Sequence, residues 1–556
     1  MSISLEESKL QINIKGRGYY SVEMNSPAYD LVKAIQGDLP YQVVALSVNN
    51  DLKDLDYVFT KPCQVELLDL STEIGFRVYR RGVVFLLIKA CRELYPETQM
   101  LVKHSLSNGL YCELLDKVLE DQEVAQIQKR MRELAVLDLP IKKVLLHRDQ
   151  AAHIYEKQGM MDKIKLLQFR DKELVHMYEL DGFYEYFYGH MVPNTGMLSN
   201  FRLINYPPGI ILQTPERNSP NIIEPFVDQR KIFTIYSEAK EWGEMMDTPH
   251  VAALNDIVEN QDIIDLIRIN EALHEKKIAS IADMICQNRK IRLILIAGPS
   301  SSGKTTFAQR LMIQLRVNGL KPVMISMDDY FVDREDTPRD EFGDYDFESI
   351  NALKLDLFND HLTRLIRGEE VEVPLFNFKS GRCEDCGVLM KIPVSEPIIV
   401  EGIHGLNDQL TWSIPAEQKF KIYISALTQL NIDFSNRIPT TDCRLLRRII
   451  RDARTRGHGT RETLNRWPSV RRGELKNIFP FQENADVMFN SSLVYELGVV
   501  KKYAAPLLMD IGPGEPEYIE AKRLSKFLSY FREIPSEHIP PNSILREFIG
   551  GSWFHH

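Results

Sequence analysis

Cysteine is scarce in this chain, with seven residues among 556, and most of them stand far apart along the sequence. An odd, thinly scattered set argues against a disulfide framework and is typical of a reducing compartment. Cys383 and Cys386 form a single C-x-x-C pair. Because no second pair or neighbouring histidine accompanies them, the sequence disfavours a structural zinc site there.

Long apolar runs are also missing. The longest, Val83–Ile88, ends at Lys89 and is far too short to cross a bilayer. The first residues, MSISLEESK, are polar and acidic and do not have the pattern of a signal peptide. A net charge of −10 argues against a nucleic-acid surface over the whole molecule, although local basic patches are compatible with it. We therefore expect a cytoplasmic protein with no membrane partner and no general nucleic-acid partner.

The remaining composition is ordinary for a globular protein, with 44% apolar and 26% charged residues. A chain of 556 residues is too long for one hydrophobic core. The sequence therefore predicts several domains.

The most informative stretch is Leu293–Leu311, LILIAGPSSSGKTTFAQRL. Its apolar start fits a buried strand, the next residues fit the pattern G-x-x-x-x-G-K-[ST], and later apolar residues recur as on a helix. In this context backbone N–H groups converge on phosphate oxygens at the positive end of a helix. The order of elements disfavours a bare glycine turn with an exposed lysine. The sequence predicts that ATP is bound by Gly298, Ser300, Ser301, Ser302, Gly303, Lys304, Thr305 and Thr306.

Apolar segments predict a three-layer α/β domain with a parallel sheet of five strands: Leu293–Ile296, Val323–Ser326, Pro397–Glu401, Phe420–Ser425 and Val487–Phe489. Asp328 follows one of these strands and Glu401 ends another. Ligands gather beyond the carboxyl ends of parallel strands, so both carboxylates are candidates for an active site. Asp328 is placed to accept a hydroxyl proton or to help hold Mg²⁺, and Thr305 and Glu401 are further candidate Mg²⁺ ligands. The alternative for Asp328 is a solvated turn residue.

Arginine is concentrated in one short segment. Six arginines occupy thirteen residues, and the first four share one helix face: Arg444, Arg447, Arg448, Arg451, Arg454 and Arg456. Such charges repel one another on a bare helix, and only Asp452 lies within the run. A lid that closes over a triphosphate explains the cluster better than a solvated basic face.

The order of these motifs resembles the uridine kinase family of P-loop phosphotransferases over about Ile291–Ser491. GPSSSGKTT is similar to its phosphate loop, ISMDDYF to its catalytic aspartate motif, and CRLLRRIIRDARTRG to its arginine-bearing lid. YDFES, VEVPLFNF and IIVEGIHGL resemble its ribose-binding segment, its nucleobase hairpin and its glutamate-ending strand.

This resemblance implies roles for individual residues. It places the base that activates the acceptor hydroxyl on Asp328, with Lys304 stabilising the transferred phosphoryl group. It places ribose binding on Asp346 and nucleobase contacts on Phe376 and Phe378. Among the lid residues, it implies that the substrate is contacted by Arg444 and ATP by Arg447, Arg451 and Arg456.

One departure from the family concerns the nucleobase. Uridine kinases carry a histidine just past the aromatic hairpin, whereas this chain reads KSGR at positions 379–382. The contact with the base is therefore altered, and the sequence does not specify the nucleoside.

The N-terminal half carries a second resemblance. Two strands joined by Gly16-Arg17-Gly18, a helix over Pro27–Ile35 and further strands predict a small β-grasp module, similar to the TGS domain of threonyl-tRNA synthetases. The stretches RRGVVFLLIKACRELYPETQMLVKHSLSNGLYCELL and VPNTG resemble the editing domain of that synthetase.

The editing domain uses residues spaced H-x-x-x-H and C-x-x-x-H. The matching positions here are Arg81 and Phe85 in the first pair and Phe187 and Met191 in the second. The scaffold is therefore expected to be kept and its hydrolytic chemistry lost. His190, one residue from the last position, is interpreted as structural.

The expected domains are a TGS-like β-grasp domain (residues 1–70), an α+β editing-like domain (71–245), a helical connector (246–290), a uridine kinase-like P-loop domain (291–500) and a C-terminal helical extension (501–556). Within them, Lys142–Gln168 is predicted to be helical and Val251–Gln287 to form two helices.

The expected function is ATP- and Mg²⁺-dependent transfer of the γ-phosphate to the 5′-hydroxyl of a nucleoside. One alternative is a kinase of another small hydroxylated metabolite, since phosphoribulokinase and pantothenate kinase look like relatives of this core. Another alternative is a nucleotide-gated RNA- or tRNA-binding regulator. The expected partners are ATP and a small nucleoside, and a homo-oligomer is left open.

Overall fold

The computed structural model describes residues 9–170, 172–339, 343, 345–377, 380–384, 387–428 and 430–554. Phe378 of the predicted nucleobase hairpin and Cys386 of the C-x-x-C pair lie outside the described residues. The chain combines one parallel sheet with mixed and antiparallel sheets. This arrangement confirms the predicted multidomain α/β and α+β fold class.

The first sheet is mixed and has five strands, in the order Gly18–Glu23, Lys9–Ile14, Cys63–Asp69, Val43–Val48 and Asp51–Lys53. A helix over Ala28–Ile35 buries its apolar face against this sheet, with Leu31 and Val32 in the shared core. Its apolar residues recur at three- and four-residue intervals, which is why one face can be buried. The strands and the helix agree with those expected of a β-grasp module.

The next region contains two antiparallel sheets. One has the strand order Arg202–Tyr206, Gly209–Gln213, Gly109–Leu114 and Met100–Leu106, and the other has the order Phe183–Glu185, Leu174–Leu180 and Ile141–His147. Its helices are Glu73–Leu94, Asp121–Val136, Arg148–Gln158 and Met161–Gln168. The longest of these helices is buried over Val83–Ala90, which accounts for the longest apolar run of the sequence.

The prediction of a helix over the whole of Lys142–Gln168 is wrong at its beginning. Ile141–His147 is a strand that pairs along its full length with Leu174–Leu180, and two helices follow it. Gly159 ends the first helix in the left-handed conformation, with φ of 72°. In the segment KKVLL the order of polar and apolar residues fits neither a helix nor a strand clearly, so pairing with the neighbouring strand determines its conformation.

The parallel sheet lies in the C-terminal half and has the order Val323–Ser326, Ile398–Glu401, Leu293–Ala297, Lys419–Ser425 and Val487–Asn490. All four neighbouring pairs run parallel. The five predicted strands are confirmed, each boundary lying within one residue of the prediction. The central strand is fully buried, as expected for a sheet covered on both faces.

Helices surround this sheet and lead into it. Their bounds are Arg230–Met245, Val251–Glu259, Ile263–Gln287, Lys304–Val317, Leu355–Ile366, Thr440–Arg451, Thr460–Asn477, Glu496–Met509, Tyr518–Leu528 and Arg546–Ile549. The two helices predicted over Val251–Gln287 are confirmed. Two short hairpins pair Glu370–Val373 with Val388–Lys391 and Phe376–Asn377 with Arg382–Cys383. Within the described residues, no helix is both long enough and apolar enough to span a bilayer.

The two halves of the chain share a continuous core. A loop from the C-terminal half, Asn431–Arg437 (the interface loop), reaches the N-terminal half, where Val102 N–H donates to Phe434 O at 2.8 Å. Asn431 Nδ2 donates back to Val102 O at 2.9 Å. The interface loop continues directly into the helix Thr440–Arg451, so the N-terminal half is held next to the predicted arginine segment.

Candidate active site

The phosphate loop has the predicted strand–loop–helix form. The strand Leu293–Ala297 ends just before the loop, and the phosphate-loop helix begins at Lys304. Gly303 has φ of 83°, a left-handed conformation that favours glycine. A Cβ atom on Gly298 would lie 2.0 Å from Ile424 O, so only glycine fits this close approach between the loop and the neighbouring strand. The backbone thus explains both glycines of the motif.

The Lys304 side chain folds over the loop. Its Nζ donates to Gly298 O at 2.9 Å and to Pro299 O at 3.2 Å. Burial lowers the pKa of Lys304, while the carboxylates of Glu401, Glu547 and Asp328 act in the opposite direction. The ammonium therefore lies within a group of acidic side chains at the helix N-terminus.

The strand register brings the predicted carboxylates together. Glu401 is opposite Ile296 on one side and Ser326 on the other, so it ends level with the start of the phosphate loop. Glu401 Oε1 accepts a hydrogen bond from Thr305 Oγ1 at 3.1 Å. Asp328 follows Ser326 by two residues, is exposed, and its charge interacts with that of Lys304.

The acidic surroundings change the titration of Glu401. Burial raises the pKa of Glu401 to about 7, and the Lys304 ammonium partly offsets this effect. Glu348 is a further carboxylate here, and burial together with Glu474 raises its pKa to about 7. Burial therefore brings the pKa of both carboxyls close to neutral pH.

The oxygen donors of Thr305 and Glu401 fit a hard cation such as Mg²⁺. Among the described residues, no group of three or more His, Cys, Asp or Glu side chains forms a metal-binding cluster by itself. Mg²⁺ is usually held by one or two carboxylates together with substrate phosphates and water. A hydroxyl and a carboxylate 3.1 Å apart at a phosphate loop agree with that mode of binding.

The arginine helix, Thr440–Arg451, does not expose all of its arginines to solvent. Arg444 and Arg447 are 1% and 0% exposed. Arg444 pairs with Glu474, and its Nε donates to Ser300 O at 2.9 Å. Arg447 pairs with Glu496 at 2.5 Å and donates to Ser491 O. These two arginines support the phosphate loop, so the alternative of a solvated basic face is wrong at these positions, whereas closure of the segment over a triphosphate stays a prediction.

The burial of Arg444 and Arg447 has a clear physical cause. Asp452 is the one acidic residue within the run, but buried guanidinium groups must be paired, and the partners of Arg444 and Arg447 come from later helices. The outer arginines do lie near Asp452: Arg451 Nε is 3.4 Å from Asp452 Oδ1, and Arg456 is 3.8 Å from it. The Arg456 side chain is half exposed. The predicted contacts of the arginines with ATP and substrate remain predictions.

The two adjacent aspartates after the second strand face different groups. Asp328 interacts with Lys304, whereas Asp329 Oδ1 accepts from the backbone N–H of Phe376 at 3.5 Å. The Phe376 ring lies 5.7 Å from that of Phe331. The described part of the predicted nucleobase hairpin is therefore held against the segment that carries Asp328.

Asp346 contacts a lysine of a later helix and the backbone of Glu348. Its Oδ2 is 3.5 Å from Lys476 Nζ, and its Oδ1 accepts from the backbone N–H of Glu348 at 3.2 Å. Sequence reasoning chose Asp346 from YDFES and missed Glu348, although both are acidic and only two residues apart. Glu547 was missed because nothing in the C-terminal sequence relates it to a loop 241 positions earlier.

The four altered editing positions lie in or beside the packed core of the N-terminal half. The Phe85 ring contacts that of Phe187 at 5.4 Å, and Met191 is 2% exposed. Arg81 Nη1 donates to His190 O at 2.5 Å, and His190 Nδ1 lies 2.5 Å from Asp54 Oδ1. Three of these side chains, Phe85, Phe187 and Met191, thus fill space as apolar groups, and His190 joins the editing-like region to the preceding module.

Residues 293–496 match the phosphoribulokinase / uridine kinase family. The kinase-family region contains the phosphate loop, both carboxylate-bearing strand ends and the arginine helix. This match confirms the predicted family resemblance for the C-terminal half.

Other similarities concern parts of the chain. The N-terminal half resembles threonine–tRNA ligases, as predicted: one from Clostridioides difficile is 26% identical over 196 residues, covering 35% of this chain and 31% of the ligase. The chain thus spans less than a third of the length of that relative. The solved structure of a possible uridine kinase from Bacillus stearothermophilus is 19% identical, with a TM-score of 0.25, and covers 38% of this chain and 97% of that one.

A D-glycerate 3-kinase from Cryptococcus neoformans is also similar. It is 13% identical with a TM-score of 0.21, and the match covers 48% of this chain and 89% of that one. These two structural similarities are weak. The resemblance of the C-terminal half to this kinase family therefore depends on the family match and on the geometry of the phosphate loop.

Proposed function

We propose that this protein is an ATP-dependent kinase that transfers the γ-phosphate to the 5′-hydroxyl of a nucleoside. The observation that carries the proposal is the convergence of the Thr305–Glu401 pair and Asp328 on the Lys304 ammonium. A phosphate loop alone supports nucleotide binding. A carboxylate pair at the ends of two neighbouring strands adds the groups required for phosphoryl transfer.

In this proposal Asp328 accepts the proton of the acceptor hydroxyl and orients its oxygen toward the phosphorus atom. Lys304 turns from the loop carbonyls to the outer phosphates and stabilises their negative charge. Thr305 and Glu401 would hold Mg²⁺, which would supply positive charge to neutralise the phosphates. The arginine helix keeps the loop backbone in place through Arg444 and Arg447.

The acceptor site is proposed to lie between Asp328 and the aromatic hairpin. Asp329 holds the backbone of Phe376 next to the Asp328 turn, so a planar base near Phe376 would be joined to a hydroxyl near Asp328. Asp346 is proposed to bind ribose hydroxyls. The domain boundaries given from the sequence are part of this proposal, as is a role of the N-terminal half in supporting the kinase-family region through the interface loop.

The test is phosphate transfer from radiolabelled ATP to a panel of nucleosides, sugar phosphates and pantothenate, with product positions assigned by ³¹P NMR. We expect a 5′-phosphorylated nucleoside and no product from the matching 5′-deoxynucleoside. Asp328→Asn is the control for contaminating kinase activity. Transfer to a sugar phosphate or to pantothenate but to no nucleoside would contradict the nucleoside assignment. ATP binding without transfer to any acceptor would favour the alternative of a nucleotide-gated RNA- or tRNA-binding regulator.

A further inference from the structure

The C-terminal segment, Ser543–Gly550, packs on the phosphate loop. Ile544, Leu545 and Phe548 are fully buried. A Cβ atom on Gly303 would lie 2.5 Å from Ile544 Cγ2, and the Phe548 ring lies 5.0 Å from the Arg447 guanidinium. The segment therefore covers the loop at the start of the phosphate-loop helix.

Within this segment, Glu547 binds the helix N-terminus directly. Its Oε2 accepts from Thr306 N–H at 3.3 Å and from Thr306 Oγ1 at 2.8 Å. Thr306 is the third residue of a fourteen-residue helix, so its N–H is one of the donors without a partner inside the helix. In phosphate loops these donors bind phosphate oxygens. The buried Glu547 carboxylate thus accepts a hydrogen bond from a backbone N–H that, in this motif, is available to bind a nucleotide phosphate.

The positive groups around Glu547 are also those of the nucleotide site. The charges of Lys304 and Arg451 both interact with that of Glu547. Arg454, from the arginine run, donates to Glu547 O at 2.8 Å and to Phe548 O at 3.1 Å. Part of the segment expected to close over a triphosphate therefore holds the chain's own C-terminal segment.

We propose that the C-terminal segment is autoinhibitory, with the Glu547 carboxylate occupying a phosphate position, so that a nucleoside triphosphate must displace it to bind. Both ligands need the Thr306 N–H, and two anionic groups cannot share it. The apparent affinity for nucleotide then equals the intrinsic affinity multiplied by the fraction of molecules in which the segment is displaced, so a small displaced fraction weakens binding. This inference depends on nucleotide binding in the proposed function but not on the identity of the acceptor.

The decisive measurement is the dissociation constant of MgATP, obtained by calorimetry on the full chain without acceptor. We expect Glu547→Ala to bind MgATP about tenfold more tightly than the unmodified protein, the size expected when one charged hydrogen bond no longer competes. Glu537→Ala is the matched control, because Glu537 lies on the same C-terminal stretch and is largely exposed. The dissociation constant of MgATP for Glu537→Ala should equal that for the unmodified protein.

A second measurement does not depend on a variant that folds. Hydrogen exchange of the unmodified protein should become faster at residues 543–550 when MgATP is added, because nucleotide binding would release the segment. An unchanged or weaker affinity of folded Glu547→Ala, or unchanged or slower exchange at 543–550 at saturating MgATP, overturns the proposal. Absence of MgATP binding to both proteins overturns it as well, whereas failure to phosphorylate any nucleoside leaves these readouts intact.

Discussion

Lys163 Nζ lies 3.1 Å from Asp433 Oδ1, and both side chains are almost wholly buried where the N-terminal half meets the interface loop. Glu185 Oε1 lies 2.8 Å from the same ammonium. Burial alone would lower the pKa of Lys163, but Asp433 and Glu185 outweigh it and hold this pKa well above its usual range. One positive charge thus joins carboxylates from both halves of the protein.

Lys163→Met should therefore destabilise the protein, because it leaves two buried carboxylates without their cation. The expected loss is about 3–5 kcal/mol in the free energy of unfolding, measured in urea. Lys165→Met is the matched control, since Lys165 is exposed on the same helix. Equal stability of the two variants would contradict a structural role for the Lys163 network.

Lys304→Ala should abolish most phosphoryl transfer without unfolding the protein. The lysine is partly buried and donates to loop carbonyls, and the loss of one such electrostatic contact costs on the order of 10²–10³ in kcat. Steady-state kinetics together with circular dichroism measure both effects. Lys321→Ala, an exposed lysine in the same region, should retain normal turnover. Near-normal turnover of Lys304→Ala would contradict the assignment of the loop.

Asp328→Asn and Asp329→Asn should have different effects, although the residues are adjacent. Asp328→Asn removes the proton acceptor, so kcat should fall by about 10²–10⁴ while MgATP affinity changes much less. Asp329→Asn weakens the bond to Phe376 N–H and should mainly raise the KM of the acceptor. The same kinetic change in both variants would show that the turn acts as a unit and that Asp328 has no separate chemical role.

The sequence was sufficient for the features that local patterns determine. The five parallel strands, the phosphate loop and the strand-ending Glu401 were predicted because each is defined by a few consecutive residues. The strand Ile141–His147 was not, since its conformation depends on pairing with Leu174–Leu180. The pattern of polar and apolar residues in a segment does not show which other segment it will pair with in a sheet.

The same limit applies to the site. Arg444 and Arg447 were recognised as a cluster, but their burial depends on Glu474 and Glu496, which belong to two later helices. Glu547 lies near the end of the chain and reaches the loop only through tertiary packing. Long-range pairing of charges cannot be derived from helical periodicity alone.

No deacylation of mischarged threonine tRNA is expected from the full-length protein, with or without added zinc. Phe85 and Met191 are buried apolar groups, and Arg81 donates to a backbone carbonyl, so these positions offer neither metal ligands nor proton-transfer groups of ordinary pKa. Release of the labelled amino acid from tRNA measures the activity. Saturable deacylation that is lost in His190→Ala would contradict this prediction and make the protein bifunctional.

Acid should weaken the contact between the helix Tyr518–Leu528 and the long helix Glu73–Leu94. Arg77 Nη1 lies 3.0 Å from Glu520 Oε2, and Arg523 pairs with both Glu520 and Asp442. Burial alone would raise the pKa of Glu520, but Arg523 and Arg77 outweigh it and hold this pKa well below its ordinary value. The ionised carboxylate therefore stabilises the folded state above the pKa of the unfolded chain, about 4.3, and this contribution is lost as the pH falls further.

The comparison of Glu520→Gln with the unmodified protein isolates this contribution. At pH 7 the variant should be less stable by about 2 kcal/mol, as expected for hydrogen bonds to a charged group. Urea unfolding between pH 7 and pH 3 should show this difference shrinking below about pH 4, because Glu520 of the unmodified protein then takes up a proton in the unfolded chain but not yet in the folded state. Glu533→Gln, at an exposed position nearby, should follow the unmodified protein throughout. A difference that stays constant down to pH 3 would mean that packing, not the charge of Glu520, holds the two helices together.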